Sequence, residues 1–248
     1  MNSRPLILTM FASEEYQLLL SKVNADFIIY NCLGAQKITC KLPDNHIVVR
    51  DITPNIRPDI FLSQNKLYHY KILRELANKH GKPLVSVYTN IPQKNDLMMT
   101  RGFFSEANVF MSSDHAASWQ SDRPTFIIPP CPVSEVGNKK PELYINKSSD
   151  FNSVYKILEA MARGACVISP ANFEINNIIT QSYDGFLYNS RDPNGEKNLL
   201  AKIVKNEELV IEVGKNAQKT IREKFSIGNF VNNWNNLISE KMNENTNK

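Results

Sequence analysis

The chain has 248 residues, 42% hydrophobic and 22% charged, with 29 Lys and Arg against 25 Asp and Glu for a formal charge of +4. That length buries a real core as one large α/β domain or two smaller ones. The balance excludes a largely disordered chain, and it favours phosphate-bearing partners without demanding nucleic acid. No apolar run reaches the length of a membrane span, and Glu14 and Glu15 interrupt any signal-like core, so a cytoplasmic protein is expected.

Short runs rich in Val, Ile and Phe alternate with helix-patterned segments, as in a mostly parallel sheet. Seven candidate strands come first: LILTMF, DFIIYN, HIVVRDI, DIFLSQ, LVSVYTN, NVFMSS and TFIIPP, all before Cys131. Between the fourth and fifth, KLYHYKILRELANKHGKP reads as a helix closed by Gly81. Ser113 and Asp114 are placed to cap a short helix, HAASWQ. The segment PPCPVSEVGNKKPE, with four prolines, is the candidate interdomain linker. A second αβ series follows: ELYINK as strand, NSVYKILEAMARG as helix, ACVISP as strand, EINNIITQS as helix, GFLYN as strand. Helices fill the rest, with a break near Ser226 to Gly228.

Cys32, Cys40, Cys131 and Cys166 lack CxxC spacing, and the four histidines are scattered, so reduced thiols and no metal centre are expected. Nor is there a GxSxG elbow, a GxxxxGK[ST] loop or an HExxH helix.

The chemistry concentrates around LEAMARGACVIS, Leu158 to Ser169. A strand ending at Lys147, the loop SSDFNS and a helix put free backbone N–H groups and the positive helix end at Ser148 to Val154, a site suited to phosphate. Glu159 lies about two turns along that helix, and an ionised acid, acceptor-only, suits a vicinal diol such as ribose. The spacing equally suits an ion pair of Glu159 with Lys156 or Arg163. Lys147, at a strand end, is the first candidate cation for a leaving diphosphate, with Lys156, Arg163 and Arg101 behind it. Thr89 and Asn90 end the strand LVSVYTN, where parallel sheets deliver ligand contacts. His115 is a candidate from the first half, with a capping or structural role as its alternative, and Trp119 and Trp234 read as core anchors.

ILEAMARGACVIS, Glu174-Ile175 and YDGFLYN resemble the donor-side signature of retaining GT-B glycosyltransferases of the family 4 type, and KFSIGNFVNNWNNLI is similar to that family's closing helix. The resemblance spans about Tyr144 to Ile238. It implies an α/β, GT-B-like chain of two Rossmann-like domains facing a cleft, the second reduced, as in compact glycosyltransferases of phages and large viruses. The implied divisions are an acceptor domain over 1–132, a donor domain over 133–224, and a helix over 225–248 that returns to the first domain and frays.

It further implies that Glu159 binds the donor ribose and that backbone amides around Ser149, Asn152, Ser153 and Val154 hold the diphosphate without a metal. The family carries an acid eight positions before that glutamate; here Phe151 stands there, and neighbouring Asp150 is the expected substitute. The expected activity is hexosyl or pentosyl transfer with retention from a nucleotide-diphosphate sugar, UDP-sugar first. A hydroxymethylated base in phage DNA is one candidate acceptor, a glycan or lipid-linked acceptor another. A non-catalytic GT-B-like binding or scaffold protein is the alternative of a different class.

Overall fold

The computed structural model describes residues 4–32, 35, 37–64, 67–89, 92, 105–134, 137, 142–148 and 151–246, with backbone alone at 67, 151, 152 and 246. The chain divides into two compact units, Met1–Pro129 with Val231–Lys248, and Pro130–Phe230.

In the first unit the seven apolar runs are strands: β1 (Leu6–Thr9), β2 (Asp26–Tyr30), β3 (His46–Val49), β4 (Ile60–Gln64), β5 (Leu84–Val87), β6 (Ala107–Phe110) and β7 (Thr125–Ile127). They form one parallel sheet in the order β3-β2-β1-β4-β5-β6-β7. The winding reverses between β1 and β4, whose carboxyl ends are joined by buried side chains. Gln64 Nε2 donates to Thr9 Oγ1 at 3.0 Å, and that hydroxyl donates to the Leu62 carbonyl at 2.8 Å. Such reversals are where open α/β sheets place ligands.

Helix α1 (Glu14–Leu20) was not legible in the periodicity. At seven residues it is too short to show an apolar stripe, but Ser13 accepts the Tyr16 N–H as its N-cap, and Glu14 and Glu15 sit at the positive end. Helix α2 (Leu67–His80) ends as expected at Gly81, φ +61°, and buries Tyr70, Leu73 and Ala77 against Leu8, Ile28 and Phe61. Helix α3 (Ser113–Trp119) starts two residues before the expected His115, because the N-cap is Ser112, whose Oγ accepts the His115 N–H at 3.1 Å.

The second unit is built on β8 (Leu143–Ile145), β9 (Cys166–Pro170) and β10 (Phe186–Tyr188), parallel, in the order β10-β9-β8. Helix α4 (Phe151–Ala162) joins β8 to β9, and α6 (Gly195–Ile203) and α7 (Glu207–Lys224) follow β10. The central strand β9 is apolar on both sides because both faces are covered. Val167 faces the cluster of Ile157, Leu158, Met161, Ala217 and Ile221, whereas Cys166 and Ile168 face Phe186, Ile203 and Val213.

The helix expected over EINNIITQS is only α5 (Phe173–Asn176). After Asn177 the Thr180 N–H turns to Asp184 Oδ1 at 2.6 Å, a local bond that competes with helix continuation, while Ile178 and Ile179 enter the core.

The corner after α4 is a Schellman closure: Ala165 N–H bonds the Ala160 carbonyl, Gly164 N–H bonds that of Met161, and Gly164 has φ +82°. Gly214 of α7 faces the Gly164 carbonyl so closely that no Cβ fits between them. Helix α8 (Ile227–Thr246) begins in the second unit and, from Val231 on, belongs to the first. There the Asn24 N–H donates to Asn235 Oδ1 at 3.1 Å, and Lys241 lies over the Phe126 ring.

Candidate functional site

The parallel sheet of the second unit delivers its carboxyl ends to one edge, and several predicted residues follow β8 there. Asn146, buried, shapes that edge: its Nδ2 donates to the Ser148 carbonyl at 2.6 Å and to Ser169 Oγ at 2.9 Å, and its Oδ1 accepts the Ser148 N–H at 3.3 Å. The loop after β8 is thereby tied to the end of β9, just before α4 starts. Asn146 was absent from the predicted set, since a lone asparagine at a strand end carries no motif.

Lys147 extends from this loop with 76% of its side chain exposed, and its Nζ lies 3.7 Å from Glu196 Oε1 at the start of α6. Tyr188, at the end of β10, donates its hydroxyl to Glu196 Oε2 at 3.2 Å. Burial first, then the Glu196 charge, pushes the Tyr188 phenol up, so it remains a donor at neutral pH. Ser153 and Val154 are buried in the first turn of α4, Asn152 is present there as backbone, and Ser149 and Asp150 lie outside the described residues. Lys147 and the start of α4 are thus brought to one edge.

Glu159 answers to a different neighbour. Its Oε1 accepts the N–H groups of Val133, at 2.5 Å, and Ser134, at 3.0 Å; its Oε2 accepts the Ser134 hydroxyl at 2.6 Å. Arg163 approaches Oε2 at 3.8 Å, the i,i+4 pair that the spacing allows. The carboxylate is 17% exposed. Lys156 is exposed. Cys131, just upstream of these donors, is buried, and burial with the Glu159 charge pushes its thiol up to about 12, which leaves it inert as a nucleophile.

Among the described residues, the predicted Thr89 and His115 lie in the first unit. Thr89 is half-buried, two residues past the end of β5; Asn90 and Arg101 lie outside the described residues. His115 is 2% exposed, with the Phe110 ring edge-on and the Trp119 Nε1–H donating to its Nε2 at 3.2 Å. The Met111 N–H lies 3.4 Å from Nδ1. A neutral imidazole accepts at one nitrogen only, and the shorter bond assigns that role to Nε2. The ring therefore holds the helix α3 to its strand, alongside Tyr88 and Phe110 packed on Trp119.

No protein-family profile and no curated protein matches the chain. Solved structures do match its backbone. HepE (Alr3699) from Anabaena in complex with UDP has a TM-score of 0.68 at 10% identity, covering 96% of this chain and 100% of that one. Sucrose-phosphate synthase from Thermosynechococcus elongatus has 0.70 at 10%, covering 96% and 99%. A glycosyltransferase from Rickettsia africae has 0.62 at 11%, covering 97% and 99%.

The fold is GT-B.

At these identities the likeness concerns the backbone alone. Within the GT-B frame, the second unit is the smaller one, with three strands against seven. The edge formed by Asn146, Lys147 and the start of α4 is the carboxyl edge of that smaller sheet.

Proposed function

We propose that the chain is a glycosyltransferase that moves a sugar from a nucleotide-diphosphate sugar to an acceptor hydroxyl. The observation that carries it is the amide-rich start of α4 with Lys147 beside it at the carboxyl edge of a GT-B sheet. The backbone N–H groups of the first turn and the positive end of a twelve-residue helix favour a diphosphate, and more so as its charge grows on leaving. Lys147, mostly exposed and held among the described residues by a surface pair with Glu196, swings to the diphosphate at little cost. Glu159 takes the ribose hydroxyls, and UDP is the first base to test, since HepE carries UDP.

The reaction proposed is retaining and needs no metal. The bond from the anomeric carbon to the diphosphate oxygen breaks, and the acceptor oxygen attacks from the same face while a diphosphate oxygen takes its proton. For the acceptor, the compact second unit and the charge of +4 support a hydroxymethylated base in phage DNA, which must be extruded or single-stranded to be reached.

Thermal melting with UDP, GDP and ADP tests the donor. UDP at a hundred times its Kd contributes about 2.7 kcal/mol, a rise of roughly 5–11 °C for a chain of this size. Glu159→Ala is expected to lose most of that rise. No shift with any diphosphate would end the donor assignment. UDP binding without slow hydrolysis of a UDP-sugar would favour a binding protein, a reading supported by Phe151 standing where the family has an acid.

A further inference from the structure

Glu159 is already satisfied by the chain itself. A carboxylate offers about four acceptor sites. Val133 N–H, Ser134 N–H and Ser134 Oγ–H fill three of them, the last at 2.6 Å, the short distance of a charge-assisted bond. A vicinal diol brings two O–H donors. One more than the free capacity must therefore be made available, and the ligand has to displace a donor.

We propose that Val133–Ser134 is a strap over the ribose seat, with the Ser134 hydroxyl standing where a ribose hydroxyl goes, so that nucleoside diphosphate binding and strap attachment exclude one another. The inference rests on the donor reading above. Three features single out Ser134 as the donor that leaves. It is exposed, so releasing it uncovers no core. Its hydrogen bonds among the described residues all go to Glu159. Its flanks are fixed independently: Cys131 and Pro132 are buried on one side, and on the other Gly137 donates to the Ala162 carbonyl while its own carbonyl accepts Gln218 Nε2 at 2.7 Å.

Ser134 thus sets donor affinity without touching the donor. The strap also holds the carboxylate oriented while no ligand is present, so the seat is preformed and guarded by one hydroxyl.

The test is UDP titration calorimetry on wild type, Ser134→Ala, Ser134→Thr and Glu159→Ala, together with hydrogen exchange across Val133–Ser134 with and without UDP. Losing one net hydrogen bond from the strap makes Ser134→Ala bind UDP more tightly by about fivefold. Ser134→Thr, which keeps the hydroxyl, is expected to bind UDP like wild type. The Val133 and Ser134 amides exchange faster when UDP saturates the protein. Wild type that binds UDP while Ser134→Ala binds equally or more weakly, or amides that UDP slows, overturns the strap and leaves the donor reading intact. Glu159→Ala binding UDP as well as wild type, or wild type not binding it, overturns both. Melting of the unliganded variants establishes that each is folded.

Discussion

Replacing Gly214 with alanine isolates the corner that holds the candidate site together. In an exposed helix the change is favourable by about 1 kcal/mol, because alanine is the better helix former. Here the new Cβ falls inside contact distance of the Gly164 carbonyl oxygen. That oxygen is backbone, held by the φ of +82° at Gly164 and by the Schellman bonds on either side, so it has no rotamer to escape into. Helix α7 must shift instead, and it carries Val213 into one core cluster and Ala217 and Ile221 into the other. Overpacking of this kind costs about 1–3 kcal/mol and more against rigid backbone. Taken at the top of that range, the clash outweighs the propensity gain for a net loss of about 2 kcal/mol, or roughly 4–8 °C in Tm for a chain of this length. Gly228→Ala is the internal control: its Cβ meets only Ser226 Oγ at 3.9 Å in the first turn of α8, and Tm is expected to hold or rise. Urea and thermal melting of both variants read the difference. Gly214→Ala that melts with or above wild type would refute the close approach of α7 to the corner.

Acid sensitivity centres on His46, buried and stacked on Phe27, whose imidazole burial lowers from 6.5 to about 4. Its folded-state affinity for protons is depressed, so stability is full above 6.5 and falls as pH drops towards 4, by about 3 kcal/mol in all. His46→Gln is expected to flatten that part of the pH–Tm curve. Thr220→Val removes the hydroxyl that Asp184 Oδ2 accepts at 2.7 Å, at a cost of about 1–3 kcal/mol. Burial raises the Asp184 carboxyl, so its contribution is greatest at low pH and declines as pH rises through the raised value; the loss on Thr220→Val is correspondingly larger at pH 7 than at pH 4. His115→Phe keeps a ring against Phe110 but removes the nitrogen that accepts the Trp119 N–H, so Tm is expected to fall while the UDP-induced rise persists.

All seven strands of the large sheet and all three of the small one were legible, because a parallel strand buried on both faces is a short continuous apolar run, and helical spacers separate one run from the next. Gly164 and Gly81 were legible for a related reason: both have positive φ, a conformation glycine adopts without strain. Apolar periodicity failed where a side-chain bond, itself fixed by a distant partner, competed with the helix. Asp184 stops α5 by taking the Thr180 N–H while bonding Thr220, 36 residues on.

What the sequence by itself determined is therefore the alternation of strands and helices and the small-residue corner after Glu159, since each depends on neighbours a few residues apart. Where the Glu159 carboxylate goes was decided only in three dimensions. The spacing allowed Arg163, but the donors that bond it come from Val133 and Ser134, more than twenty residues upstream. Likewise the pairing of Asn146 with Ser169, and the meeting of Gly214 with Gly164, arise from strand register and helix packing. Such contacts depend on which residues the folded chain sets opposite one another, and a one-dimensional pattern of apolar and polar positions does not encode that.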